Sequence, residues 1–142
     1  EVVTTKYMTE AVEALINYNP ETEFAENVDT MSESIKQLLN VEITRATKDT
    51  NIGGIAIKEA DYLAIENGEI VNSQADIKQL LLEFADKFIA DDYEIITILV
   101  GSDADQLLVD ELIEYLENSS PFVEVVVYHT NQPVYHYLIS AM

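Results

Sequence analysis

Apolar and polar positions along this 142-residue chain follow two rhythms, and the switches between them mark out its elements. Val2 to Thr5 suggest a short strand. Met8, Val12, Leu15 and Ile16 then share one helical face over residues 8–18, and Pro20 in "NYNPETEF" stops that helix. Val28, Met31, Ile35, Leu38 and Leu39 repeat at helical spacing, and "VEITRAT" alternates as a strand does. Residues 48–72 carry short apolar runs broken by Gly53-Gly54 and Asn67-Gly68. Asn-Gly between two alternating runs predicts a β-hairpin, because both turn positions need positive φ. The pair Gly53-Gly54 reads as a bulge or turn.

The second half is more regular. Ile77, Leu80, Leu81, Phe84, Ala85 and Phe88 form an amphipathic helical stripe. "EIITILVG" is apolar almost throughout, as a strand buried on both faces requires. After "SDAD" a helix is predicted to turn Leu108, Leu112, Tyr115 and Leu116 inward, followed by strands "FVEVVVYH" and "VYHYLISA". Strand, helix, strand at this spacing is a βαβ unit with parallel strands, and the last strand returns antiparallel. Thr130 to Pro133 would be the turn of a closing hairpin, with Tyr135, Tyr137 and Ile139 on one face and His136, Leu138 and Ser140 on the other. His129 and His136 would then be neighbours across that hairpin, near a sheet edge. The expected class is α/β: a mixed sheet with packed helices, a βαβ unit near the C-terminus with an antiparallel closing strand, and a β-hairpin-rich insert at about 48–72.

Composition sharpens this. The length suits a single domain, 1–142, with its own core. A formal net charge of -20, with only seven basic residues and none beyond Lys87, excludes nucleic acid and anionic membrane surfaces as partners and favours a basic protein surface. Cysteine is absent, which removes disulfide and thiolate chemistry and fits a cytoplasmic protein. No apolar run reaches the ~20 residues that span a bilayer. The opening "EVVTT", with Glu1 in place of Met, suggests a fragment cut from a longer protein that keeps its C-terminus.

Candidate chemistry is sparse. Asp103 and Asp105 follow a predicted parallel strand, where open α/β sheets bind ligands, and two carboxylates there can hold Mg²⁺. Ser102 with Asp105 is also a capping pattern, repeated at Ser73 and Asp76, and this repetition favours the structural role. Asp110, Glu114 and Glu117 make an acidic ridge on the following helix with no lysine nearby. The candidate partner contacts are therefore Asp103, Asp105, Asp110, Glu114 and Glu117, with His129, Gln132 and Tyr135 around the closing turn. Arg45 and Lys48 are a candidate anion contact. No nucleophile elbow, dinucleotide fingerprint or zinc constellation is present in the sequence, and neither histidine has a ligand at metal spacing. A hydrolase or transferase in its own right lacks a nucleophile–base pair.

The ordered segments "TRATKDTNIGGIAIKEADYLAIENGEIVNS", "EIITILVGSDAD" and "VEVVVYHTNQPVYHYLISAM" resemble the C-terminal region of the kinase component of bacterial fatty acid kinase, of the dihydroxyacetone-kinase-like family. The matching positions include Asp49, Ile52 and Gly54; Ile57, Asp61 and Tyr62; Gly68, Ile70 and Val71; Glu94, Thr97, Ile98 and Gly101; and Gln132, Pro133, Tyr135 and Ser140. Ala60 stands where that family has Gly before Asp-Tyr, Asn131 where it has Gly before Gln-Pro, and Arg45 precedes Ala46 where it has an aromatic residue. The resemblance implies an N-terminal ATP-dependent kinase domain and a middle domain outside this chain, with ATP and Mg held there and no cofactor here. It implies a parent that phosphorylates the carboxyl group of a fatty acid held in a separate binding protein. This module would have no catalysis of its own and would dock that fatty-acid-binding protein, while contacting the rest of the parent kinase. The alternative is a small-molecule-binding regulatory α/β domain, using the crevice from Gly101 to Asp105.

Overall fold

A computed structural model describes residues 2–142. Its elements are α1 (Met8–Ile16), α2 (Phe24–Ser34), β1 (Leu39–Arg45), β2 (Thr50–Ile52), β3 (Ile55–Ile57), β4 (Tyr62–Glu66), β5 (Glu69–Gln74), α3 (Ile77–Ala90), β6 (Ile95–Val100), α4 (Gln106–Ser119), β7 (Glu124–His129) and β8 (Tyr135–Ala141). Six strands form one mixed sheet in the order β5-β4-β1-β8-β6-β7, and β2 and β3 form a separate ribbon. The class is α/β, as the hydrophobic rhythm predicts.

The sheet's main core lies under α3 and α4. Val41 and Ile43 of β1, Ile96 and Ile98 of β6, and Tyr137 and Ile139 of β8 meet Leu80, Phe84 and Phe88 of α3 and Val109, Leu112 and Leu116 of α4. Alternate residues Asn40, Glu42 and Thr44 of β1 therefore turn to the opposite face. There α1 approaches through Thr9, whose hydroxyl donates to Asn40 Oδ1 at 2.6 Å. The predicted hairpin turn has the required backbone, with φ 47° at Asn67 and 88° at Gly68; Gly53 and Gly54, expected to be a bulge or turn, prove to be the hairpin turn between β2 and β3, at φ 59° and 84°.

Several expectations change; the helical stripe through Leu38 and Leu39 ends at Ser34, and Leu39 opens β1. Val2 to Thr5 form no strand, and Val2 is 82% exposed; Glu1 lies outside the described residues. The stripe of Met8, Leu15 and Ile16 on α1 faces solvent rather than core. Finally, β7 and β8 do not form a hairpin. β7 pairs in parallel with β6, and β8 pairs antiparallel with β6 on its other side and with β1 beyond. The closing strand is therefore central, not marginal, and β6 separates His129 from His136. The physical reason is that β8 is apolar on both faces, with Tyr137 to Ala141 all buried, so a central slot covers it better than an edge.

Candidate functional site

Because β1 and β6 both run antiparallel to β8, the carboxyl ends of β1, β6 and β7 gather at one end of the sheet with the amino ends of β4 and β8. Arg45, Tyr62, Gly101 to Asp105, His129 and Tyr135 with His136 come together there. Gly101 forms the pivot: its N–H donates to the His136 carbonyl at 2.8 Å, and Ser102 N–H donates to the Gln132 carbonyl at 3.1 Å. Gln132 is buried, at 7% exposure, and its amide donates to the Leu99 carbonyl at 3.1 Å and the Tyr135 carbonyl at 3.4 Å. Its Oε1 accepts from the Thr130 hydroxyl. This side chain is committed to bracing the turn and offers a partner no free surface. The notch beside Gly101 is correspondingly filled by the backbone carbonyls of Tyr135, Gln132 and His136.

The same turn stores strain. Tyr135 N–H donates to the Pro133 carbonyl at 2.8 Å, and the residue between, Val134, takes φ 72°. That is a γ-turn of the rare, strained hand, made worse by a β-branched side chain. Thr44 Oγ1 holds it in place by donating to the Val134 carbonyl at 2.8 Å.

A bulge aims His136. Ile43 pairs with Tyr137 while Thr44 pairs with Tyr135, so β8 carries one extra residue there. The His136 ring meets Tyr62 edge-on, with centroids 5.4 Å apart, and Arg45 Cζ lies 5.2 Å from the Tyr62 ring centre. Burial pushes the His136 pKa below its ordinary value; Asp103 pulls it up and Arg45 pushes it down further. Its Nδ1 is buried without a hydrogen-bond partner among the described residues. Tyr137 donates to the Asp105 carbonyl at 3.1 Å, and burial raises its phenol to about 12, so it stays protonated. Sequence pattern alone does not find the His136–Tyr62–Arg45 contact, because the bulge that makes it has no signature of its own in "VYHYL".

The other predicted residues fall as follows. Asp105 caps α4, accepting from Leu107 N–H at 2.9 Å, and Asp76 caps α3, accepting from Lys78 and Gln79 N–H at 2.9 and 3.1 Å. The aspartates themselves are the caps, three residues beyond the serines expected to begin the pattern. Asp103 and His129 are exposed, and Tyr135 is half-buried. Arg45 is occupied: its Nε donates to the Ala60 carbonyl at 3.2 Å while its guanidinium stacks on Tyr62. Lys48 is exposed on the turn after β1. Asp49, outside that set, accepts from Glu59 N–H at 2.7 Å and so pins the base of the β2–β3 ribbon.

Asp110, Glu114 and Glu117 are exposed along α4, as the helical spacing predicts. Glu111 beside them is spoken for, paired with Lys78 Nζ at 2.6 Å. Among the described residues Asp110 accepts a side-chain hydrogen bond from the neutral Gln106 amide alone, at 2.9 Å. Along the ridge runs an α3–α4 groove of about 440 Å³ lined by the Lys78–Glu111 pair together with Leu82, Glu114, Tyr115 and Asn118. Tyr115 is not turned into the core as expected; it stands at this groove, and its hydroxyl donates to Asp86 at 2.5 Å. Asp110 and Glu114 are like charges at i, i+4, an arrangement that destabilises a helix by about 0.2–0.5 kcal/mol. Glu117 in the last turn also opposes the helix dipole. α4 thus carries an electrostatic penalty that a cationic surface would relieve. Among the described residues, no group of three or more metal-ligating side chains is assembled, and no helix is long and apolar enough to cross a membrane.

A family model for the FakA-like C-terminal region of fatty acid kinase matches residues 1–141. An uncharacterized protein of Staphylococcus aureus strain MRSA252 is 34% identical over 139 residues, 98% of this chain and 25% of its own length. Its counterpart in strain USA300 is 33% identical over the same span. The chain thus spans about a quarter of these curated relatives. Two solved structures share the fold. The Streptococcus pneumoniae Fatty Acid Kinase B3 protein loaded with linoleic acid aligns with TM-score 0.58 at 11% identity, covering 84% of this chain and 50% of that one. A Ruminococcus gnavus protein of the DegV family, with vaccenic acid, aligns with TM-score 0.59 at 16% identity, covering 94% and 54%.

Proposed function

The chain belongs to the FakA-like C-terminal family of fatty acid kinase, and from that premise we propose that it is a docking module, without catalysis of its own, for a fatty-acid-loaded binding protein. The parent would be an ATP-dependent kinase forming acyl phosphates, with its ATP and Mg in another domain. The observation that carries this reading is the acidic ridge of α4 beside the α3–α4 groove, where Lys78 neutralises Glu111 alone among the four acidic side chains. Asp110, Glu114 and Glu117 hold like charge at unfavourable spacing with no lysine partner, and Leu82 and Tyr115 supply an apolar strip alongside. Such a surface suits a partner presenting lysine or arginine around an apolar anchor. Asp103, His129 and the strained turn at Val134 form a second exposed cluster at the end of the sheet, available to extend the contact. Its position on the C-terminal side of β6 is also where a regulatory ligand would bind, but the packed carbonyls around Gly101 leave little room for one.

Titration calorimetry at low salt between the parent kinase and the fatty-acid-loaded binding protein tests the proposal. Reversing both Asp110 and Glu114 to Lys is expected to weaken association by at least tenfold, about 1.4 kcal/mol, and to flatten its salt dependence. Unchanged affinity in the double variant would overturn the assignment of this surface. Saturable thermal stabilisation by a small ligand, with no effect of the charge reversal on partner binding, would favour the regulatory domain instead.

A further inference from the structure

The α1–α2 hairpin presents an apolar face that none of the described residues covers. In α1 only Thr9 and Ala14 are buried, and in α2 only Asn27. Around the α1–α2 connection large apolar side chains point outward: Leu15 is 69% exposed and Phe24 65%, with Ile16 and Tyr18 between them also exposed, while Val12, Val28 and Met31 are half-buried. A groove of about 360 Å³ lies among Val3, Tyr18, Phe24, Val28 and Met31, and none of its lining residues is charged. That is an unusual surface on a chain of net charge -20. The groove is also built rigidly. Asn27 Oδ1 accepts from Asn19 N–H at 2.8 Å, and its amide donates to the carbonyls of Asn19 at 2.6 Å and Thr22 at 3.3 Å, which fixes the α1–α2 connection. Helices of nine and eleven residues are marginal without tertiary packing, so this hairpin is under-packed as it stands.

We propose that this groove seats the part of the same polypeptide that precedes this region in the longer family members. Three observations select that occupant. This C-terminal region spans only a quarter of its relatives, so most of their chain lies before it. Val3 itself lines the groove, so a preceding segment is delivered to it covalently and at high effective concentration. The lining is uncharged and mostly apolar, with Thr22 and Asn27 its small polar members, which suits a permanent contact rather than a steered transient one. A second copy is disfavoured because two chains of charge -20 repel. The fatty-acid-loaded partner proposed above would sit on α4, on the other face of the sheet.

The test is a photo-crosslinking p-benzoylphenylalanine at position 24 in the full-length natural polypeptide, with the products mapped by mass spectrometry. Crosslinks to the preceding part of the same chain are expected. They should be lost when Val28→Asp, in the groove wall, is added, while amides of β1, β6 and β8 keep their hydrogen-exchange protection, which shows the sheet intact. Crosslinks only between copies would overturn the proposal, as would crosslinks only to the acyl-binding protein or to added fatty acid. No crosslink at all would do the same. If Val28→Asp also strips protection from the sheet, the wild-type crosslink map still decides the matter.

Discussion

Replacing Ala60 by Gly should stabilise this protein, against the usual sign of an Ala→Gly change. Ala60 sits at φ 71°, in the turn that closes β3 onto β4, where its N–H donates to the Ala46 carbonyl at 2.9 Å and its own carbonyl accepts from Arg45. A left-handed conformation costs a residue with a Cβ roughly 1–2 kcal/mol. Glycine removes that strain but gains unfolded-state entropy, worth about 0.4–1 kcal/mol against folding. The Ala60 methyl is exposed, so losing it sacrifices no burial. The net is a stabilisation of about 0.5–1 kcal/mol, or roughly 2–3 °C in Tm for a domain of this size. Urea titration should show a raised midpoint with unchanged slope. Ala75, also exposed but without positive φ, is the control: Ala75→Gly should destabilise by about 0.4–1 kcal/mol. If Ala60→Gly shifts the midpoint in the same direction as Ala75→Gly, the backbone argument fails.

Gly101→Ala should destabilise by about 3 kcal/mol, the upper end of overpacking costs, because a Cβ there runs into the Tyr135 carbonyl and crowds those of Gln132 and His136; chemical denaturation reads this directly. Glu42 lies on the central strand between Ile65 and Leu138, and burial raises its pKa above 4.5. Its folded state holds the proton more tightly than the unfolded state, so stability falls as pH rises through that raised value. Glu42→Gln is therefore expected to raise Tm at pH 7, with the advantage over the wild type vanishing below pH 4.5. His136 has the opposite shift for a base: its folded pKa lies below 6.5, so the unfolded chain binds the proton first. Stability is thus lost as pH falls below about 6.5; His136→Phe should flatten that part of a Tm-versus-pH curve, and an unaltered curve would refute the assignment.

How much of this was legible in the sequence depended on where the determining contacts lie. α3 and β6 could be read directly because their patterns reflect burial against the chain's own core: Leu80, Phe84 and Phe88 on one helical face, and Ile96 to Val100 buried throughout. The Asn67-Gly68 hairpin turn was legible because Asn-Gly is a local backbone requirement; Gly53-Gly54 was legible only as a bulge or turn. The position of β8 was not, since periodicity reports the faces of a strand and not its neighbours. Nor was the direction of α1 and α2. Leu15 and Phe24 form an apolar face whether or not this chain supplies its cover. The acidic ridge of α4 followed from helical spacing alone. The meeting of His136, Tyr62 and Arg45 needed a bulge and three separate strands. Ala60 and Asn131, at φ 71° and 53°, take the left-handed backbone that glycine adopts most readily, which fits the glycine that the resemblance implies at those places.

The placement of β8 also constrains how the protein is made. Until residues 135–141 leave the ribosome, β5-β4-β1 and β6-β7 are two separate blocks, each exposing an unpaired apolar edge that only this strand can cover. At about 5–20 residues per second, that state lasts on the order of seconds during every round of translation. A nascent chain in this interval has the open edges that chaperones recognise and that seed aggregation. Premature termination just before β8 would therefore not yield a slightly shorter domain; it would yield two half-sheets and a substrate for quality control.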